Sequence, residues 1–358
     1  MIVSDRNSYG RLVMATAKES RVDNITPKSS GAALGSTGAD VERLNRYLGR
    51  FGYFDSGVHA TFDMMPTGVE ATPAKGNEFS EGTERALRKF QAFNGLPTTG
   101  VLDQATLEQM NKRRCGNPDV GEFVLSGRKW NKNNLTYGFQ EFTPDLSPAE
   151  VRAAISTAFN YWAAVTVLSF TEVAMTANPD IIIRFVTGDH GDGSPFDGGG
   201  GVLAHAFYPE QGAISGDSHF DEAETWSINL PPSGFDLYTV AAHEFGHALG
   251  LGHSTVNDAL MAPFYGGPHR FLHQDDIDGI QAIYGVQQWH SNKQLLRVFA
   301  TYHAKNAWAY IQGVGWRKCK PANPEGVTSM FAAACEARAN GLTVTALVNA
   351  TEIEQLYV

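Results

Sequence analysis

The residues best placed to do chemistry lie in one run, His243-Glu244-Phe245-Gly246-His247-Ala248-Leu249-Gly250-Leu251-Gly252-His253. On a helix, residues four apart share a face, so His243 and His247 can bind one metal ion. Glu244 flanks the same ion, where it can take a proton from bound water. Gly250 and Gly252 are poor helix residues, and they let the chain turn back to bring in His253 as a third ligand. Three neutral imidazoles with one open position suit a catalytic zinc, whereas structural zinc is closed by four protein ligands. A further ligand stands far upstream, in Arg114-Cys115-Gly116-Asn117-Pro118-Asp119. A thiolate from Cys115 in the open position would displace water and silence the site.

Several elements must hold these residues. Pro148 to Val165 reads as a helix with an apolar face at Val151, Ile155, Ala158, Phe159 and Trp162. Lys129 to Tyr137 opens a strand, and Ile181 to Val186 is a buried one. Asp275 to Tyr284 makes a last helix of the same unit. Upstream, Val41, Leu44, Leu48 and Phe51 have helical spacing, and Ala86, Leu87, Phe90 and Phe93 make a second amphipathic face. Asp103 caps a third helix with Leu107 and Met110. Downstream, two alternating strands flank Lys305-Asn306, a helix runs from Val327 to Asn340, and two more strands follow. That order is ββαββ.

Length and composition agree with this division. A chain of 358 residues exceeds one ordinary core and predicts two or three domains. With 42% hydrophobic and 18% charged residues, it has the composition of a soluble globular protein. No apolar run is long enough to span a membrane. A net charge of -10, without a basic stripe, argues against nucleic acid as a partner. Three cysteines are an odd count, which predicts one thiol with its own task. For Cys319 and Cys335 a disulfide and two buried thiols both fit. The N-terminus shows no convincing secretory signal, although Ala15-Thr16-Ala17 resembles a cleavage site.

The long histidine motif, followed by Ala259-Leu260-Met261-Ala262-Pro263-Phe264-Tyr265, resembles the zinc site of the matrixins. These are matrix-metalloproteinase-like zinc proteases of the metzincin clan, whose methionine turn would here be Met261. Residues 114–119 resemble their cysteine switch, with Arg114 and Asp119 as the ion pair that holds the loop. The usual pattern has Pro at 113 and Val at 117, where this chain has Arg113 and Asn117. The stretch "ERLNRYLGRFGYF…TERALRKFQAFNGLPTTGVLDQATLEQM" resembles the peptidoglycan-binding-like fold of matrixin propeptides.

This resemblance implies a structural zinc on His190, Asp192, His205 and His219. It implies calcium on Asp197, Asp221 and Glu224 with carbonyls of Gly198, Gly200 and Val202. A further calcium position would take Asp180 and Asp217 with carbonyls of Ala213 and Ser215. Leu203 and Ala204 would pair with an extended substrate, and Thr239, Pro263, Phe264 and Tyr265 would line the primed-side pocket. The acidic pair Asp275-Asp276 would brace the methionine turn.

The expected architecture is an α/β (α+β) metzincin catalytic domain with a twisted mixed sheet. A three-helix propeptide precedes it and a small ββαββ domain follows. The divisions are a flexible tail (1–35), a propeptide with the switch (36–119), a catalytic domain (120–287) and a C-terminal domain of unassigned role (290–358). The expected protein is a secreted zinc endopeptidase made as a latent zymogen. It would act on protein or peptide substrates and be released by an activating protease that cuts between Asp119 and Lys129. The alternative is a cell-wall-associated peptidase or binding protein, targeted to peptidoglycan or another partner by its N- or C-terminal module.

Overall fold

A computed structural model describes residues 25–54, 76–120, 128–210, 212–229, 234–286, 288–300, 306–320, 324–349 and 352–358. The expected activation linker lies almost wholly outside the described residues.

The first unit holds α1 (Ala39–Arg50), α2 (Glu81–Phe93) and α3 (Gln104–Met110). Ser80 and Thr83 form a capping box at the start of α2, and Asp103 accepts from the Thr106 amide at the start of α3. Leu44, Leu48, Phe51, Leu87, Phe90 and Met110 close the core of this unit. The expected free tail is corrected in part. Residues 1–24 lie outside the described residues, but residues 25–35 dock on the unit. Gly31 donates to Leu102, Leu102 donates to Ala32, and Ile25 packs against the core. Backbone pairing, which composition does not reveal, orders this polar segment.

The central unit has a six-stranded sheet in the order β1-β5-β6-β4-β2-β3. Its strands are β1 (Arg114–Cys115), β2 (Asn134–Phe139), β3 (Ser169–Glu172), β4 (Ile181–Val186), β5 (Val202–Ala206) and β6 (Ser218–Asp221). The strands from β6 to β3 run parallel, β5 runs antiparallel to β6, and β1 runs parallel to β5. A short parallel pair joins β7 (Trp226–Ser227) to β8 (Phe235–Asp236). Helices α4 (Pro148–Ala163) and α5 (Leu237–Ala248) share the core with the sheet. The rings of Phe159 and Phe245 stack at 3.7 Å, and Trp162 Nε1 donates to the Ala242 carbonyl at 2.9 Å. These contacts fix the rotation of α5, and hence the direction in which its histidines point.

Helix α5 ends where the sequence predicts. Gly250 has φ 106°, and a Cβ there would drive into the Arg128 carbonyl. The chain then turns back toward His253. Gly250→Ala is therefore expected to cost at least ~2 kcal/mol, from positive-φ strain and the clash together. Urea unfolding measures it, and a loss below about 0.5 kcal/mol, the scatter of neutral surface changes, would count against this account of the turn. Helix α6 (Gln274–Tyr284) follows. Asp276 accepts from the amides of Leu260 and Met261 at 2.8 and 3.0 Å, so it does brace the methionine turn. Asp275 instead pairs with the Ser254 hydroxyl.

The last unit corrects the ββαββ expectation. Strand β9 (Gln288–Ala300), β10 (Ala307–Ile311) and β11 (Gly315–Cys319) precede α7 (Pro324–Asn340), and β12 (Thr343–Val348) and β13 (Glu352–Tyr357) follow it. The extra strand β11 follows a tight turn at Gly313, and Arg317-Lys318 interrupts its apolar alternation. The five strands close a barrel in the order β9-β10-β11-β13-β12, with β11 parallel to β13. With a helix between the third and fourth strands, this is OB-fold connectivity. Cys319 and Cys335 are both free thiols.

Candidate metal centres and active site

His243, His247 and His253 converge. Their Nε2 atoms lie 3.2 Å apart for His247 and His243, and 3.3 Å for His243 and His253. Each Nδ1 faces an acceptor: the Leu260 carbonyl for His243, the Leu251 carbonyl for His247, and the Asp119 carboxylate for His253. An Nδ1 facing a carbonyl must carry the proton, so the Nε2 lone pairs of His243 and His247 point at each other. Burial lowers all three pKa values, to about 3 for His243, so protonation does not relieve the contact. Buried lone pairs meeting at this distance need a cation between them, so the residues fit a zinc ion.

The Cys115 Sγ completes this four-atom set. It lies 3.5 Å from His247 Nε2 and 3.6 Å from Glu244 Oε2. Burial and the Glu244 carboxylate push its thiol well up, so it needs a cation to become a thiolate. Glu244 is fully buried, its Oε1 has no partner, and burial raises its pKa to about 8. Met261 sits beneath: a Cβ on Gly246 would strike its Sδ, so the helix admits the methionine only at a glycine.

Residues 113–116 lie in the cleft as an extended segment. Arg114 donates its amide to Gly201, Cys115 to Pro263 and Gly116 to Ala204, while Tyr265 donates to Arg113. One extended segment thus pairs with both walls that the sequence assigns to substrate, Leu203-Ala204 and Pro263-Phe264-Tyr265. Beside it lies a cavity of about 190 Å³ lined by Leu203, Thr239, Leu260, Pro263, Phe264 and Tyr265 among others. The Thr239 hydroxyl donates to Asp236 and accepts from the His269 amide, which leaves it no hydrogen for a ligand.

Arg114 and Asp119 form a fully buried ion pair at 2.5 Å. Burial alone raises the Asp119 pKa, but Arg114 and His253 outweigh it and hold the carboxylate below its ordinary range. Tyr53 donates to the second oxygen of Asp119. The carboxylate paired with Arg114 is therefore the one that orients a metal-site imidazole, which spacing along the chain did not reveal. Asn117 also gains a role. Its amide donates to the Ala206 carbonyl at 2.8 Å and accepts from the Ala206 amide at 3.0 Å. A side chain with both donor and acceptor here was a readable sign that valine's substitute could extend the pairing.

The second histidine set gathers on one oxygen. His190 Nε2, His205 Nε2 and His219 Nδ1 lie 2.6, 2.8 and 2.7 Å from Asp192 Oδ2. His190 Nδ1 faces the Gly188 carbonyl, so its Nε2 brings a lone pair toward the carboxylate and His219. Three imidazoles with one carboxylate make a closed zinc set, and this cluster fits that ion.

Asp197, Asp221 and Glu224 do not converge as tightly. Each is engaged by a backbone amide, yet burial raises all three pKa values, to about 6 for Asp221, whose Oδ2 has no partner. Oxygen ligands and an orphan carboxylate oxygen fit calcium, and the carboxylates are tied to the Gly200 and Val202 amides of the same segment. Asp180 and Asp217 both contact the start of β4. Asp180 is already paired with Lys132 and Thr136, while Asp217 accepts from the Ile182 amide and burial raises it to about 7. Ala213 and Ser215 lie in the adjoining turn.

Removing metal is expected to destabilise the chain as well as stop chemistry. An ion present at a thousand times its Kd contributes about 4 kcal/mol. Thermal unfolding with and without a strong zinc chelator measures this. An unchanged midpoint would exclude a bound metal in either histidine set.

Comparisons with known proteins agree with this geometry. Residues 129–285 match the matrixin family model, and residues 37–110 match a peptidoglycan-binding domain model. The chain is 54% identical to interstitial collagenase of Bos taurus over 206 residues, which is 56% of this chain and 43% of that protein. It is 50% identical to human neutrophil collagenase over 205 residues, 56% of this chain and 43% of the relative. Human matrix metalloproteinase-20 is 49% identical over 209 residues, 57% and 42% respectively. The chain thus spans less than half the length of these relatives. With two converging histidine sets, a braced methionine turn and both matches in the expected order, residues 129–285 form a matrixin domain that follows a peptidoglycan-binding-like one.

Proposed function

We propose that the chain is a secreted zinc endopeptidase, latent until the segment before residue 128 is cut. The observation that carries this reading is the strand of residues 113–116, which pairs with both cleft walls and brings a thiol to the three imidazoles. It occupies the place of an extended peptide, where backbone hydrogen bonds give affinity and side-chain pockets give selectivity.

Zinc held by His243, His247 and His253 supplies a Lewis acid for a carbonyl and lowers the pKa of water. The chain's own residues do the rest. The Ala204 carbonyl, which accepts from Gly116 at 2.8 Å, accepts from a substrate amide once the switch leaves. Pro263 and Tyr265 pair with the other side of the same backbone. Glu244 takes the proton of the attacking water and delivers it to the leaving amine. The pocket beside Thr239 receives a substrate side chain. His190, Asp192, His205 and His219 hold a structural zinc, and Asp197, Asp221 and Glu224 hold calcium, with Asp180 and Asp217 as a further calcium position.

A fluorogenic peptide assay before and after limited proteolysis, with metal analysis of the same sample, tests the reading. The expected result is activity only after cleavage and only with zinc. Full activity in the uncut chain would reject latency, and activity in a metal-free sample would reject the zinc mechanism. The peptidoglycan-binding match leaves a specific second reading, in which residues 37–110 hold the protein on cell wall. Sedimentation of the full chain with sacculi distinguishes the two.

Asn117→Val removes two buried hydrogen bonds and leaves the Ala206 amide and carbonyl unpaired, at a cost of about 1–3 kcal/mol to the latch. The uncut variant is expected to activate faster than the parent. Equal activation rates would show that Asn117 does not strengthen the latch.

A further inference from the structure

The C-terminal barrel carries a surface that the protease does not use. In OB-fold barrels the exposed face of the second and third strands binds oligonucleotides or oligosaccharides. Those strands here are β10 and β11. Ala307, Ala309 and Ile311 point into the core, so Trp308 and Tyr310 point out. Trp308 lies opposite Phe299 and Lys318, and Tyr310 lies opposite Arg297 and Trp316. The outer face therefore presents two cross-strand rows, each with two aromatic rings and one cation. Phe299 is 52% exposed and Trp316 40%, so among the described residues nothing covers this face. Arg338 of α7 joins Arg297, Phe299, Trp308 and Trp316 around an open groove of about 1000 Å³.

The charge of the unit points the same way. Residues 290–358 contain seven Lys and Arg against four Glu and no Asp, in a chain whose net charge is -10. Two of those glutamates, Glu352 and Glu354, are paired with Lys320. The cations beside the rings face solvent, ready for an anion.

We propose that this face binds an anionic polysaccharide of the uronic-acid class. Pyranose rings lie on Trp308, Trp316 and Phe299, and carboxylates meet Arg297, Lys318 and Arg338. Single-stranded nucleic acid is the weaker match. It brings a phosphate with every nucleotide, whereas the groove offers two cations, with Lys318 on the face beside it, and the rest of the chain is acidic. A uronate polymer offers a stacking face on every ring at lower charge density.

The test uses the full-length chain with Glu244→Ala, so that no peptidase activity consumes it. Affinity electrophoresis runs through hyaluronan, polygalacturonate and alginate, with neutral dextran and oligo(dT) as comparisons. Retardation by at least one uronate polymer is expected, with none by dextran. Trp316→Ala and Arg297→Glu, both at exposed positions, are each expected to weaken it at least fivefold with unchanged circular dichroism. No retardation by any of the three uronates, or retardation that both variants retain, overturns the proposal. Tighter binding to oligo(dT) overturns it too, and assigns the face to nucleic acid. None of these outcomes depends on whether the protease is active.

Discussion

Glu244→Ala, once processed, is expected to keep its metal and lose its turnover. The three imidazole nitrogens that converge belong to His243, His247 and His253, so removing the carboxylate takes away no ligand. It takes away the only buried acid at the site that can move a proton. Glu244 has one oxygen without a partner and the other against Cys115, and burial raises its pKa to about 8. Beside a bound cation such a carboxylate stays ionised, can take a proton from a neighbouring water and can give it back to a leaving amine. Losing a positioned general base costs roughly 10²- to 10⁴-fold. Metal content and peptide turnover, measured on the same processed sample, separate the two roles. Turnover within tenfold of the parent would falsify the assignment of Glu244 as base, and lost metal would move it into the ligand set.

Cys115→Ala is expected to release activity without cleavage. Sγ is the fourth donor of the metal set, and no other side chain in the described residues takes that place. If the thiolate is worth about 4 kcal/mol relative to water at that position, it holds the site closed about a thousandfold. The remaining pairing of residues 113–117 still obstructs the cleft. The intact variant is therefore expected to gain much, though not all, of the processed enzyme's rate. The comparison is initial rates for intact and cut forms of parent and variant. An uncut variant as silent as the parent would transfer latency from the thiol to the strand alone.

Much of this site was legible because its residues carry unusual types at unusual spacing. The histidine run predicts a helix, its stop and its third ligand, and the structure places all three Nε2 atoms together. The apolar faces of α1, α2 and α4 were readable by period. Contacts between distant segments were not. Asp119 meets His253 across 134 positions, and Asn117 meets Ala206 across 89. Such pairs depend on which surfaces dock, and a single sequence carries no periodic trace of docking. The strand β11 was missed for a different reason. Its charged Arg317-Lys318 pair obscures the alternation, because Arg317 takes a position on the core face, opposite buried Ala309, and donates to the Asn349 carbonyl.

The pairing of β1 with β5 has a consequence beyond inhibition. It covers the outermost strand of the catalytic sheet, whose free amides and carbonyls would otherwise be a template for another chain. On the proposed route of activation, cleavage before residue 128 would remove that cover. A processed form would then expose the β5 edge to whatever extended segment meets it first, a substrate or another copy of the chain.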